Sequence, residues 1–198
     1  MISHTKLGPH FFKGLGTLQL APQLLGKQLV HHIDGQRVGG IITEVEAYLQ
    51  NDPASHTFRG MTGRTKAMFA APGTIYLYRS YGIHLCLNIV TADEGIGEAV
   101  LIRAVYPTEG VTSMRARRGS VAPTQLTNGP GKLTQAFGLT MDLYGQSVFT
   151  SPLWLEKGFD ITPQEIQSTP RIGISKAQEE LYRFLIPEKL IAARLFKA

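Results

Sequence analysis

With 198 residues, 43% of them hydrophobic and 18% charged, the chain carries enough apolar surface for one ordinary core, which excludes a disordered tract and leaves little room for a second domain. A single cysteine, Cys86, excludes an internal disulfide framework and a cysteine-based zinc site. The formal net charge of +5 favours a polyanionic partner.

Residues 1–17 are polar and glycine-interrupted, and are expected at the periphery with Phe11 and Phe12 as an anchor. Pro22 to Leu25 predicts a short helix stopped by Gly26. A strand over 28–33, a tight turn at Asp34-Gly35 and an antiparallel partner over 37–48 follow. His31 and His32 are adjacent in the first of these strands, so they point to opposite faces and read as structural. In the second strand, alternation places Ile42, Glu44, Glu46 and Tyr48 on one face and Thr43, Val45 and Ala47 on the other.

The stretch 51–73 is rich in Gly, Pro, Ser and Thr and reads as a basic loop carrying His56, Arg59, Arg64 and Lys66, with a short helix over 65–69. Two β runs, up to Ser80 and over 83–90, are punctuated by Tyr81-Gly82; this predicts a hairpin with Tyr81 at an exposed tip. Tyr76 and Tyr78 share one face of its first strand, and Ile75 and Leu77 the other.

A strand over 98–106 puts Leu101, Arg103 and Val105 on one face, where the arginine must find a partner or water. Residues 108–119 predict a basic helix, and 127–133 a glycine-rich turn into a helix over 133–137. Backbone amides at that helix start, with Lys132, attract phosphate, although the spacing is not that of a nucleotide P-loop and the glycines alone explain a turn. Beyond lie short strands around Trp154, an extended stretch over 169–175, a last strand over 181–186 and a helical tail, 188–198, taken as peripheral and without a role. No apolar run reaches bilayer length and the N-terminus lacks a signal-peptide core, so no membrane contact and a cytoplasmic location are expected.

Taken singly, these residues have plain explanations: a strand glutamate is usually solvated, sheet tyrosines cover half-buried surface, and a loop histidine usually makes surface hydrogen bonds. Their order says more. Glu46-Ala47-Tyr48, Ser55-His56, Arg64, Met68-Phe69, Pro72 to Tyr78, Tyr81-Gly82, Cys86-Leu87-Asn88, Leu101 to Ala104 and Gly129 to Leu133 together resemble the alkyladenine (3-methyladenine) DNA glycosylase family, from about residue 28 to 186.

The resemblance implies an α+β fold: one mixed domain over 1–198 with a curved antiparallel β-sheet flanked by helices, not a helix-hairpin-helix protein. It implies that Glu46 activates the attacking water, that Arg103 and the carbonyl of Ile172 help hold that water, and that Tyr48, His56 and Tyr78 stack on an extruded base. It implies further that Tyr81 wedges into the duplex, that Asn88 disfavours the amino group of normal guanine, and that Lys132 lies on the DNA-facing side. Arg64 and Lys66 are expected on phosphates. The loop that the family writes Thr-Pro-Arg-Asn reads Thr62-Gly63-Arg64-Thr65 here, and Arg79-Ser80 beside the wedge is more polar than usual.

These residue types suit the chemistry. A base inside a duplex must be extruded, at a cost of a few kcal/mol, before its N-glycosidic bond can be reached. Aromatic stacking, worth roughly 1–3 kcal/mol per base, offsets that cost. Alkylated purines carry positive charge and leave readily, so one carboxylate suffices where O-glycosidases need two; Glu44 then reads as structural. The expected activity is a monofunctional glycosylase of base excision repair acting on alkylated or deaminated purines in double-stranded DNA, as a monomer, with no cofactor and no metal. The rivals are a non-catalytic nucleic-acid-binding module and a hydrolase of free nucleosides.

Overall fold

The computed structural model describes residues 2–196. Its nine strands form one sheet in which every pairing is antiparallel. The strands are β1 (Ser3–Lys6), β2 (Gln28–Ile33), β3 (Gln36–Tyr48), β4 (Ile75–Ser80), β5 (His84–Val90), β6 (Ala99–Glu109), β7 (Leu153–Gly158), β8 (Gln167–Thr169) and β9 (Arg183–Leu185). The main path runs β1-β7-β2-β3-β6-β5-β4, with β9 added to β3 and β8 added to β9. Four α-helices accompany it: α1 (Thr17–Gln23), α2 (Val111–Arg118), α3 (Pro130–Phe137) and α4 (Glu188–Phe196). This is the α+β arrangement expected of the sequence.

Strand β3 organises the sheet because it changes partners along its length. On one side its first half pairs with β2, ending at Gln28↔Ile41, and its second half pairs with β9 from Glu44 to Glu46. On the other side it runs along β6, where the register shifts on both sides of the Glu44↔Ala104 pair. Such a bulge re-aims side chains. It overturns part of the simple alternation: Ile42 and its partner Val105 are in the hydrophobic core with Val45 and Ala47, whereas Glu44, Glu46, Leu101 and Arg103 serve the opposite face.

Several boundaries also move. The first helix begins at Thr17, not Pro22, and Leu20 and Ala21 dock it in the core. Gly26 then turns the chain at φ +79°; a Cβ there would lie 2.5 Å from Ile161 and 2.6 Å from the Phe159 carbonyl oxygen. Within the described residues, both terminal segments send side chains into the core. Strand β1 is an edge of the sheet and Phe12 is buried. Helix α4 buries Ile191 completely and ties Arg194 to Glu165 at 2.6 Å, the last two residues of the expected tail lying outside the described chain. Beyond Thr169 the expected extended stretch is a series of bends rather than a strand.

Candidate active site

The bulge in β3 and β6 turns Glu44, Glu46 and Arg103 to one face of the sheet. Glu46 is 0% exposed. Its Oε2 accepts hydrogen bonds from the Tyr48 hydroxyl at 2.9 Å and from Arg103 Nη1 at 3.1 Å. Its Oε1 accepts the backbone N–H of Ile172 at 2.8 Å. A buried carboxylate is costly unless paired and hydrogen-bonded, and here one cation and two neutral donors meet that need. Glu44 is consumed by two arginines, Arg103 Nε at 2.8 Å and Arg183 Nε at 2.6 Å, which agrees with a structural role. Burial works against the Arg103 charge, but Glu46 and Glu44 outweigh it and hold the guanidinium firmly protonated.

Above this network lies a cleft of about 490 Å³, lined by Tyr48, Arg103 and Ile172 on one side and by aromatic rings on the other. The β4 alternation points Tyr76 and Tyr78 the same way, and their rings stack 5.8 Å apart at 27°. His56 meets Tyr78 edge-on, 4.5 Å away at 81°, and its Nδ1 lies 2.9 Å from the Tyr76 hydroxyl. Burial, reinforced by the charge of Arg64, lowers the His56 pKa, so the ring is neutral at neutral pH. Burial pushes Tyr76 up to about 12, and burial followed by the Glu46 charge raises Tyr48 further. Tyr48 therefore stays a donor to Glu46. Cys86 also borders the cleft; its thiol is raised by burial and remains unionised.

Asn88 is buried at the cleft, with Nδ2 donating to the carbonyls of Tyr76 at 3.2 Å and Cys86 at 3.4 Å. Those bonds fix which end of the amide faces inward: the carbonyl oxygen. Tyr81 belongs to the same cleft at its mouth and is 90% exposed at the hairpin tip. Both central residues of the turn closed by the Ile83 N–H to the Ser80 carbonyl at 3.2 Å have positive φ, +50° at Tyr81 and +75° at Gly82.

The sequence of residues 10–190 matches the model of the methylpurine-DNA glycosylase family. The chain belongs to the methylpurine-DNA glycosylase family. Relatives provisionally named 3-methyladenine DNA glycosylase support this over most of the chain. One from Methanoculleus marisnigri is 46% identical over 181 residues, covering 90% of this chain and 94% of that protein. One from Chlorobaculum tepidum is 47% identical over 183 residues, with 91% and 87% covered. One from Rhodopseudomonas palustris is 42% identical over 197 residues, with 98% and 93% covered. As a member of this family the chain is a hydrolase of N-glycosyl bonds whose substrate is DNA.

In this methylpurine-DNA glycosylase the residues singled out from the sequence are brought together unequally. Tyr48, His56, Tyr78, Asn88, Arg103 and Ile172 line one cleft, and Glu46 lies buried directly behind it, bonded to Tyr48, Arg103 and Ile172. Arg64 and Lys66 are exposed on the neighbouring loop and have no anionic partner among the described residues. Lys132 sits in the first turn of α3, where its Nζ donates to Asn128 Oδ1 at 2.9 Å. It does not line the cleft; Pro130, at the start of the same helix, does. Among the described residues no group of three His, Cys, Asp or Glu is placed to hold a metal ion, and no helix is long and apolar enough to cross a membrane.

Sequence reasoning missed Arg171 and Lys176. Arg171 is buried in an ion pair with Asp52, donates to the Ala47 carbonyl at 2.9 Å, and lies 4.7 Å over the Tyr48 ring. It thereby pins the loop that delivers the Ile172 N–H to Glu46. No local pattern signals it, because its partners lie 119 and 124 residues away. Lys176 borders the cleft from the same loop, again without a sequence signal.

Proposed function

We propose that this glycosylase extrudes an alkylated or deaminated purine from double-stranded DNA, hydrolyses its N-glycosidic bond and leaves an abasic site without cutting the strand. The observation that carries the reading is the state of Glu46. A carboxylate has about four lone-pair sites. Oε2 already serves two donors, while Oε1 serves only the Ile172 N–H, so Oε1 keeps an acceptor site for water. The water oxygen attacks C1′ as the C–N bond electrons leave with the purine, and the water proton passes to Glu46. A cationic alkylated base leaves without further protonation and gains from electron-rich rings, here Tyr48, His56 and Tyr78. Arg103 orients Glu46 through its 3.1 Å contact, and the Ile172 carbonyl is the second proposed holder of the water.

Tyr81 fills the gap left in the stack. Asn88, buried in the cleft wall and held by the Tyr76 and Cys86 carbonyls, is the residue we assign to disfavouring the amino group of normal guanine, by occupying space rather than by hydrogen bonding. Arg64, Lys66 and Lys132 are the proposed phosphate contacts. The enzyme acts as a monomer. Among the described residues Glu46 has no lysine as a hydrogen-bond partner, which supports water rather than an amine as the nucleophile.

The deciding experiment is a base-release assay on duplexes carrying single 3-methyladenine, 7-methylguanine, hypoxanthine or etheno lesions, run beside Glu46→Gln. Release by the natural protein, with at least a thousandfold loss in the variant and retained duplex binding, is the expected outcome, a loss on the order of removing both base and charge stabilisation. Binding without release of any lesion would identify a non-catalytic module instead. Rapid strand scission with a borohydride-trapped adduct would make Lys176 the nucleophile and overturn the hydrolytic mechanism.

A further inference from the structure

A second cavity of about 350 Å³ lies beside the first and shares Tyr78 with it as a common wall. Leu77, Met141 and Tyr144 give it an apolar lining, and Arg64 and Arg79 a cationic one. Neither guanidinium has a hydrogen-bond or ion-pair partner among the described residues. Arg59 and Arg115 are likewise without one, whereas Arg37, Arg103, Arg171, Arg183 and Arg194 are all paired with carboxylates. The Tyr144 hydroxyl is fully engaged, accepting the Ala67 N–H at 3.0 Å and donating to the Arg64 carbonyl at 3.1 Å, so what it offers the cavity is its ring. Met141 is 39% exposed, a large apolar side chain left in water beside two cations.

We propose that this second cavity is a nucleotide site for the DNA residue next to the extruded one, its base edge against Met141 and Tyr144 and its phosphodiester between Arg64 and Arg79. The assignment rests on the glycosylase reading of the first cleft. One aromatic ring separates the two cavities, and one nucleotide step separates a flipped base from its neighbour. Arg79 stands two residues before Tyr81 on β4, about 7 Å along an extended strand, so a backbone engaged at the tip passes it. Two unpaired guanidiniums flanking an apolar floor match a phosphodiester joined to an aromatic base.

The test uses Arg79→Ala and Met141→Ala, each in the Glu46→Gln background so that binding is measured without turnover. Lesion duplexes carry a neutral methylphosphonate at successive linkages around the lesion. Arg79→Ala should lower the slope of log affinity against log salt by about one, so that its deficit shrinks about threefold between 50 and 200 mM salt. At one linkage adjacent to the lesion the methylphosphonate should weaken the parent but not Arg79→Ala. Met141→Ala should weaken binding with an unchanged slope. Unchanged affinity and slope in both variants, or a methylphosphonate effect equal in parent and Arg79→Ala at every linkage, would overturn the site. Base release by the natural protein is scored separately: its absence would end the glycosylase reading while leaving an Arg79-dependent DNA contact standing.

Discussion

A guanidinium buried behind the cleft supports Glu46 without touching it. Arg171 joins β3, through the Ala47 carbonyl, to the loop whose next residue donates to Glu46, and its planar face packs on Tyr48 and Tyr182. Removing one partner of a buried ion pair leaves an uncompensated charge, at a cost of about 3–5 kcal/mol. Arg171→Met should therefore destabilise by that amount in urea unfolding, because Asp52 is stranded. The double variant Arg171→Met/Asp52→Asn should recover part of the stability. It should not recover excision, since the Ile172 N–H still lacks its anchor; lowered single-turnover rate with unchanged DNA affinity is the signature. A double variant with full activity would reduce Arg171 to a stabilising contact.

At the scale of elements, the β4–β5 hairpin and the β3–β6 bulge divide the work. The bulge makes one strand pair serve both core and active site. The hairpin carries an aromatic ring into solvent on a backbone that a non-glycine residue adopts only under strain, costing roughly 1–2 kcal/mol. Tyr81→Gly should thus raise thermal stability by up to about 1 kcal/mol while weakening capture of lesion-containing duplex. Tyr81→Ala should weaken capture equally without that gain. If Tyr81→Gly binds lesion duplex as well as the natural protein, the tip is not a wedge. Two of the three arginines of α2 show the reverse case. Arg117 and Arg118 are spent on the carbonyls of Ala136, Leu126 and Gln125, so that run binds its own chain.

For the whole molecule, pH acts through groups far apart. Burial lowers the pKa of both His31 and His56 from 6.5, the second helped by Arg64. The unfolded chain therefore binds protons first, and folding stability falls as pH drops below about 6.5. Glu156 adds to this at lower pH. Burial alone would raise it, but hydrogen bonds from Arg37, Trp154 and His4 outweigh that and hold it below its ordinary 4.5, so its contribution is present above that value and lost as it protonates. The melting temperature should decline from pH 7.5 to 5.5 and again below 4.5. His31→Gln, which keeps a donor for the Phe137 carbonyl, should flatten the first decline; an identical profile would remove His31 from the account.

Residues close in sequence carried their own geometry: the turn chemistry of Tyr81-Gly82 set the exposed tip, and the two-residue period set Tyr76 beside Tyr78 and Glu46 beside Tyr48. The ordered motifs from Glu46 to Lys132 were enough to indicate the family. What local pattern did not carry was everything decided by strand register and by contacts across more than a hundred residues. One shifted pair at Glu44 moved Ile42 and Val105 into the core, against the alternation around them. Arg171 reaches Asp52 and the Tyr48 ring, and Lys176 the cleft, only because β8, β9 and the loop between them fold back on β3. Period and turn type are properties of neighbouring residues; register, burial and charge pairing belong to the folded whole.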